Sequence, residues 1–130
     1  MRPVNLRKAA AVKAKVEKLL KAGFIYPIAL MEWVSNPIPV DKKQGTIHVC
    51  TNLRDLNKSC PKDNYPLPFI DQIIDACVGS EVFSFMDGFS GYNQIQIKLK
   101  DQHKIDFICP WGTFAYKIMP FGLKNVGETF

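Results

Sequence analysis

Proline sets what the first half of this chain can fold into. Pro27, Pro37 and Pro39 interrupt FIYPIALMEWVSNPIPV, and Pro61, Pro66 and Pro68 interrupt PKDNYPLP. Proline lacks a backbone N–H and clashes with a preceding helical turn, so both stretches are barred from helix. They are directed to extended edges, turns and spacers instead. Helices are left with the intervals between. From Leu6 to Ala22, the residues Ala9, Val12, Val16, Leu19 and Leu20 fall on one helical stripe, with Lys13, Lys18 and Lys21 away from it and Gly23 placed to cap the end. A second helix is expected where Ile70, Ile73, Ile74 and Cys77 recur at i, i+3, i+4 and i+7, with Asp71 in the first turn and Gly79 at the end.

The other segments read as strands. In DKKQGTIHVCTNLRDLN a turn at Lys43-Gln44-Gly45 leads into alternating Ile47, His48, Val49, Cys50 and Thr51, the pattern of a hairpin. Val82 to Met86 has the look of a short buried strand. Ile95, Ile97 and Leu99 alternate with Gln94, Gln96 and Lys98, and Thr113 to Met119 is again strand-like before the turn Pro120-Phe121-Gly122. The order helix, hairpin, helix, strands indicates an α+β fold rather than a parallel βαβ one. Trp33, Phe69, Phe83, Phe85, Trp111, Phe114 and Tyr116 could form a base-stacking platform, but residues alternating along strands are assigned to the core.

With 130 residues, 47% hydrophobic and 22% charged, the chain suits one globular domain and excludes disorder and fibrous repeats. Its apolar runs fall short of the roughly 20 residues a membrane span needs, and the Lys-rich start lacks the apolar block of a signal peptide. The expectation is an intracellular protein, not secreted, with no membrane partner. Cys50, Cys60, Cys77 and Cys109 form no C-x-x-C pair and read as reduced core residues. Net charge is +5, and seven Lys or Arg precede Gly23 against one acid, Glu17. Such a face suits a phosphate-rich partner or is simply solvated.

FSFMDGFSGYNQIQI, from Phe83 to Ile97, ends an apolar run on the carboxylate Asp87. Burying that charge without a partner costs several kcal/mol, so the position calls for a cation. Gly88 and Gly91, with Ser90 between, would let backbone N–H groups face a hollow under Tyr92 that suits phosphate oxygens. Spacing alone also allows a turn in which Asp87 merely accepts backbone hydrogen bonds.

KLLKAGFIYPI, EWVSNPIPV, KKQGTIHVC, LRDLNKSCPKDNYPLPFIDQII, FSFMDGFSGYNQIQI and ICPWGTFAYKIMPFGLKN occur in this order, covering the chain from about Val16 onward. Together they resemble the reverse transcriptase of gypsy-type long-terminal-repeat retrotransposons, especially those of plants. The resemblance implies the fingers and partial palm of a polymerase right hand, an α+β fold with an incomplete antiparallel sheet. Residues 1–81 would form fingers and connecting segments, and 82–130 the start of the palm and a return to the fingers. It implies that Asp87 and the Gly88 carbonyl bind catalytic Mg2+, and that the amides of Ser90 and Gly91 hold the dNTP triphosphate. Tyr92 would reject a 2′-hydroxyl, and Lys42, Lys43 and position 48 would grip phosphates. Phe121 and Gly122 would line the nucleotide pocket, and Arg54 and Asn57 would lie beside an RNA or DNA template with its primer.

Nucleotidyl transfer with two metals needs more carboxylates than Asp87. In the family the other two are adjacent aspartates downstream of the MPFGL turn, beyond Phe130, so the chain alone is expected to be inactive. Strands that complete the palm sheet also lie beyond Phe130. An open edge and an uncovered apolar face, and with them self-association, are therefore expected. His48 stands where the family has Arg, Asn52-Leu53 where Asp-aromatic is usual, Asp106 where a small residue is usual and Glu128 where Ala is usual. The alternative is a noncatalytic nucleic-acid-binding remnant using Arg2, Arg7, Lys8, Lys42, Lys43 and Arg54. The sequence leaves oligomeric state open.

Overall fold

Helix α1 (Leu6–Lys21) opens the computed structural model, which describes residues 5–29 and 31–129. Asn5 begins the helix by accepting the Arg7 N–H at 3.0 Å. At its end Gly23, at φ +71°, donates to the Leu20 carbonyl while Phe24 donates to that of Leu19, the paired bonds of a Schellman cap. Val12 and Val16 of the expected stripe are buried, with Leu19 beside them.

Strand β1 (Ile25–Ile28) holds Pro27 and is an outer strand of a three-stranded antiparallel sheet. Its order is β1-β5-β4, with β4 at Asp106–Cys109 and β5 at Gly112–Tyr116. Strand β2 (Pro37–Asp41) pairs with β3 (Ile47–Thr51) in a separate two-stranded sheet, with Val40 opposite His48. Every strand that carries a proline is therefore an edge, where a missing N–H need not break a ladder. The hairpin turn closes through Gly45 N–H to Lys42 O at 2.9 Å and Lys42 N–H to Thr46 O at 2.8 Å, with Gly45 at φ +76°.

The core forms where β4 and β5 meet α1. Phe107, Cys109, Phe114 and Tyr116 pack with Val12, Val16, Ile25, Leu53 and Ile105. The Phe107 ring lies 5.8 Å from Phe114 and 5.4 Å from Tyr116. Two links join the sheets: a 2.9 Å hydrogen bond between Thr51 Oγ1 and Tyr116 Oη, and the segment at Ser35 and Asn36. Ser35 exchanges backbone bonds with β4, and Asn36 O accepts the Asn52 N–H.

Helices α2 (Arg54–Ser59), α3 (Ile70–Ala76), α4 (Leu99–Gln102) and α5 (Val126–Thr129) complete the described elements, with a 3-10 turn at Gly91–Gln94. Only α3 was expected. The others span six or four residues, too short for hydrophobic period to announce them. No described helix is long and apolar enough to cross a membrane.

Several expectations are corrected. Val82 to Met86 is neither strand nor buried, and Phe85 is 94% exposed. An apolar run becomes a strand only with a neighbour to complete its ladder, and no described residue pairs with this one. The Ile95–Leu99 strand shrinks to one bridge, Gln96 with Ile118, and Leu99 starts α4 instead. Of the aromatic set only Phe114 and Tyr116 are buried. Trp33, Phe69, Phe83, Phe85 and Trp111 lie outside the paired strands and are exposed. All four cysteines are free, but only Cys109 is buried. From 61 to 90 every residue except half-buried Cys77 is exposed, including Ile70, Ile73 and Ile74 of α3. The helical period is right, yet the apolar stripe meets solvent.

Asp106 is the one charged residue in the described core, at 0% exposure, and neither carboxylate oxygen has a hydrogen-bond partner. Burial pushes its carboxyl above the ordinary 3.8, offset only in part by its own amide and by His103. The folded chain thus holds this proton more tightly than the unfolded one. Its penalty is absent below pH 3.8, grows as pH rises towards the raised folded value, and is constant above it.

Asp106→Ala should raise stability at pH 7 by about 1–3 kcal/mol, and the gain should vanish near pH 3, as read by urea unfolding. Equal stability of both proteins at pH 7 would refute the cost assigned to this carboxylate. The exposed face predicts concentration-dependent light scattering and dye binding that fall in an Ile74→Ser, Phe85→Ser protein. A clean monomer with a sharp melt before substitution would contradict this.

Candidate functional site

The Asp87 loop lies on no strand and is exposed. Asp87 Oδ1 accepts the Phe89 N–H at 3.1 Å, a tight side-chain-closed turn. Left-handed backbone falls not on Gly88 or Gly91 but on Phe89 (φ 21°) and Ser90 (φ 56°). For residues with a Cβ this costs of order 1–3 kcal/mol each, strain of the kind that gathers at functional loops. Ser90 then starts the 3-10 turn, accepting the Asn93 N–H at 2.9 Å, while Gly91 is buried. The Tyr92 hydroxyl reaches Ser90 Oγ at 3.4 Å.

Tyr92 is brought to Phe121, with ring centroids 6.1 Å apart and planes at 48°. The Phe121 ring is 63% exposed, so the pair has an open side. Gly122 follows at φ +100°, a conformation open to glycine. Its carbonyl accepts from Asn57 Nδ2 at 2.7 Å, and Asn57 Oδ1 accepts the Lys124 N–H at 2.8 Å. Asn57 therefore uses both ends of its amide to hold the 122–124 turn against α2. Lys124 Nζ donates to Cys60 O at 3.1 Å, and Asn125 Nδ2 to Pro61 O at 3.0 Å. These partners were not foreseen; the quoted GLKN segment was their only sequence signal.

Arg54 lies exposed at the start of α2, where its N–H meets Asn52 Oδ1 at 3.3 Å. Asn52 thus keeps the acceptor that Asp would offer, and Leu53 keeps an apolar side chain in the core. Lys42, Lys43 and His48 are exposed on the hairpin. No hydrogen bond or ion pair joins them to the Asp87 loop among the described residues. The structure therefore unites Tyr92 with Phe121 and Asn57 with Gly122. It leaves Asp87 and Gly88 on one exposed loop and the lysines on another.

Two cations of the remnant alternative have internal partners. Arg7 Nη2 donates to the Gly45 carbonyl, and Lys8 Nζ pairs with Asp41 Oδ2 at 2.9 Å. Arg2 lies outside the described residues. Among those residues no three His, Cys, Asp or Glu side chains converge as metal ligands. Magnesium takes about six oxygens, of which Asp87 and the Gly88 carbonyl could give two, so the described donor set does not fit a pair of ions.

A mixed α+β fold with an aromatic pair beside a strained acidic loop is the class of site defined here. The same fold recurs in the foamy viral protease-reverse transcriptase in complex with dsDNA, at TM-score 0.74 and 15% identity, covering 99% of this chain and 27% of that one. A second foamy viral structure with double-stranded DNA gives TM-score 0.74 at 16% identity, over 100% of this chain and 23% of that chain. Residues 40–130 match the family model described as reverse transcriptase (RNA-dependent DNA polymerase). The Tf2-3 transposon polyprotein of Schizosaccharomyces pombe is 33% identical over 131 residues, covering 98% of this chain, and the Tf2-7 polyprotein is 34% identical over 125 residues. The chain belongs to the reverse transcriptase family and is similar to retrotransposon polyproteins. It spans about 10% of the Tf2-3 polyprotein's length.

Asn57→Ala should destabilise the chain by about 1–3 kcal/mol in urea unfolding, because it strips partners from Gly122 O and Lys124 N–H together. A change within about 0.5 kcal/mol, the range of ordinary surface substitutions, would mean that this amide does not hold the turn.

Proposed function

We propose that the chain supplies the fingers and the opening of the palm of an RNA-directed DNA polymerase from a gypsy-type, plant-like retrotransposon. Residues 1–81 serve as fingers and connecting segments, and 82–130 open the palm and return to the fingers. The observation that carries this reading is the convergence of Tyr92 on Phe121 and of Asn57 on Gly122. Side chains from distant parts of the sequence thereby border one open surface.

On this reading an incoming dNTP lies against the open side of the aromatic pair. Tyr92 is braced from below by Phe121 and fixed through Ser90, so its ring is a firm wall that excludes a sugar with an extra hydroxyl. The backbone turned by Phe89 and Ser90 offers the exposed Ser90 amide to phosphate oxygens, and the amide of buried Gly91 would join it only if the loop opens. Lys42 and Lys43, long flexible cations at a hairpin tip, neutralise the terminal phosphates, and His48 adds an imidazole contact that lacks the forked guanidinium of Arg. Arg54 faces the template backbone. Asn57 positions the Gly122 turn rather than reading the template directly. Asp87 and the Gly88 carbonyl would give Mg2+ two of its oxygens, and a bound ion there would supply charge stabilisation to the reacting phosphate. One carboxylate does not hold two such ions.

A primer–template duplex with dNTP should shift the amide resonances of Ser90, Gly91, Tyr92 and Gly122, while primer extension with magnesium gives no template-dependent product. Shifts confined to α1 would overturn the site assignment, and elongation by this chain would overturn the reading that Asp87 alone does not hold the metal pair.

A further inference from the structure

Helix α1 begins with its charges in an unfavourable order. Arg7 and Lys8 occupy the first turn, which holds no acid, although the positive end of a helix favours anions. Both side chains leave the helix for the hairpin. The Arg7 guanidinium donates to the Gly45 carbonyl at the turn, and Lys8, half-buried, pairs at 2.9 Å with Asp41, the last residue of β2. Asp41 is the acid adjacent in sequence to Lys42 and Lys43. Those two lysines form no ion pair among the described residues.

We infer that the first turn of α1 braces the hairpin tip and shields it electrostatically. Arg7 fixes the turn, and Lys8 occupies Asp41 so that Lys42 and Lys43 stay available to a polyphosphate. Arg7 and Lys8 are thus positioning residues that act through the tip. An unpaired Asp41, the nearest carboxylate in sequence to both lysines, would compete with a phosphate for them. Only the phosphate half of this inference rests on the reading of the tip given under Proposed function.

Two measurements separate the halves. Amide exchange in the full chain reads the brace: Arg7→Ala should speed exchange at Lys42 and Gly45 by about tenfold while leaving Ile108 and Tyr116 of the large sheet unchanged. Unchanged exchange at the tip, or equal acceleration in both sheets, would overturn the brace. Titration with inorganic tripolyphosphate reads the shield. Lys8→Ala should weaken binding about two- to fivefold, Lys8→Ala with Asp41→Asn should restore it, and Lys21→Ala, removing the same charge elsewhere, should leave it within about twofold. Failure of the Asp41 change to restore binding would overturn the shield. If Lys42→Ala with Lys43→Ala leaves tripolyphosphate binding unchanged, the phosphate reading of the tip falls, and exchange still decides the brace.

Discussion

Strand β5 is the constraint on which the rest of the molecule depends. It is hydrogen-bonded on both sides, its Ala115 is wholly buried, and its Tyr116 carries an aromatic ring into the core. Burial raises the Tyr116 hydroxyl above its ordinary value of 10.0, and the Thr51 hydroxyl offsets this by giving it a partner. Without Thr51 the phenol would be a buried polar group on the seam between two sheets. The chain leaves β5 straight into the turn at Phe121 and Gly122, so the position of that turn is inherited from the best-packed strand.

The elements legible in the sequence were those whose signal is local. The α1 stripe, the Gly23 cap, the Gly45 turn and the edge-seeking prolines each follow from residues within a few positions of one another. What failed needed a partner. Val82 to Met86 has strand composition, but composition cannot supply the second strand that would satisfy its backbone. The Ile70, Ile73 and Ile74 stripe was read correctly as a helix, but helical period alone does not say what covers it, and the stripe meets solvent. Helices of four residues carry too few apolar positions for any period to emerge.

The candidate site divides the same way. Tyr92 and Phe121 were singled out as the aromatics with work outside the core, and the fold places them together. Asn57 was assigned to the template side, whereas its amide is engaged by the chain itself, a tertiary fact that no spacing encodes. The glycines around Asp87 were read as letting backbone N–H groups face a hollow, yet the positive φ of this loop falls on Phe89 and Ser90 and Gly91 is buried. Asp106 was visible as a departure from the resembling family, but its cost appears only once β4 is seen to be buried.

The two-stranded sheet is separate from the three-stranded one, and the places where the chain joins them are few: the Ser35–Asn36 segment and the Thr51–Tyr116 hydroxyl contact. Side chains add to these ties: Val49 of β3 packs against the core, and α1 holds the hairpin through Arg7 and Lys8. The joint between the sheets is therefore part polar and part apolar, and the helix that fills the core is the same one that carries the tip. A change in how Val12 and Val16 pack would accordingly be transmitted to the hairpin.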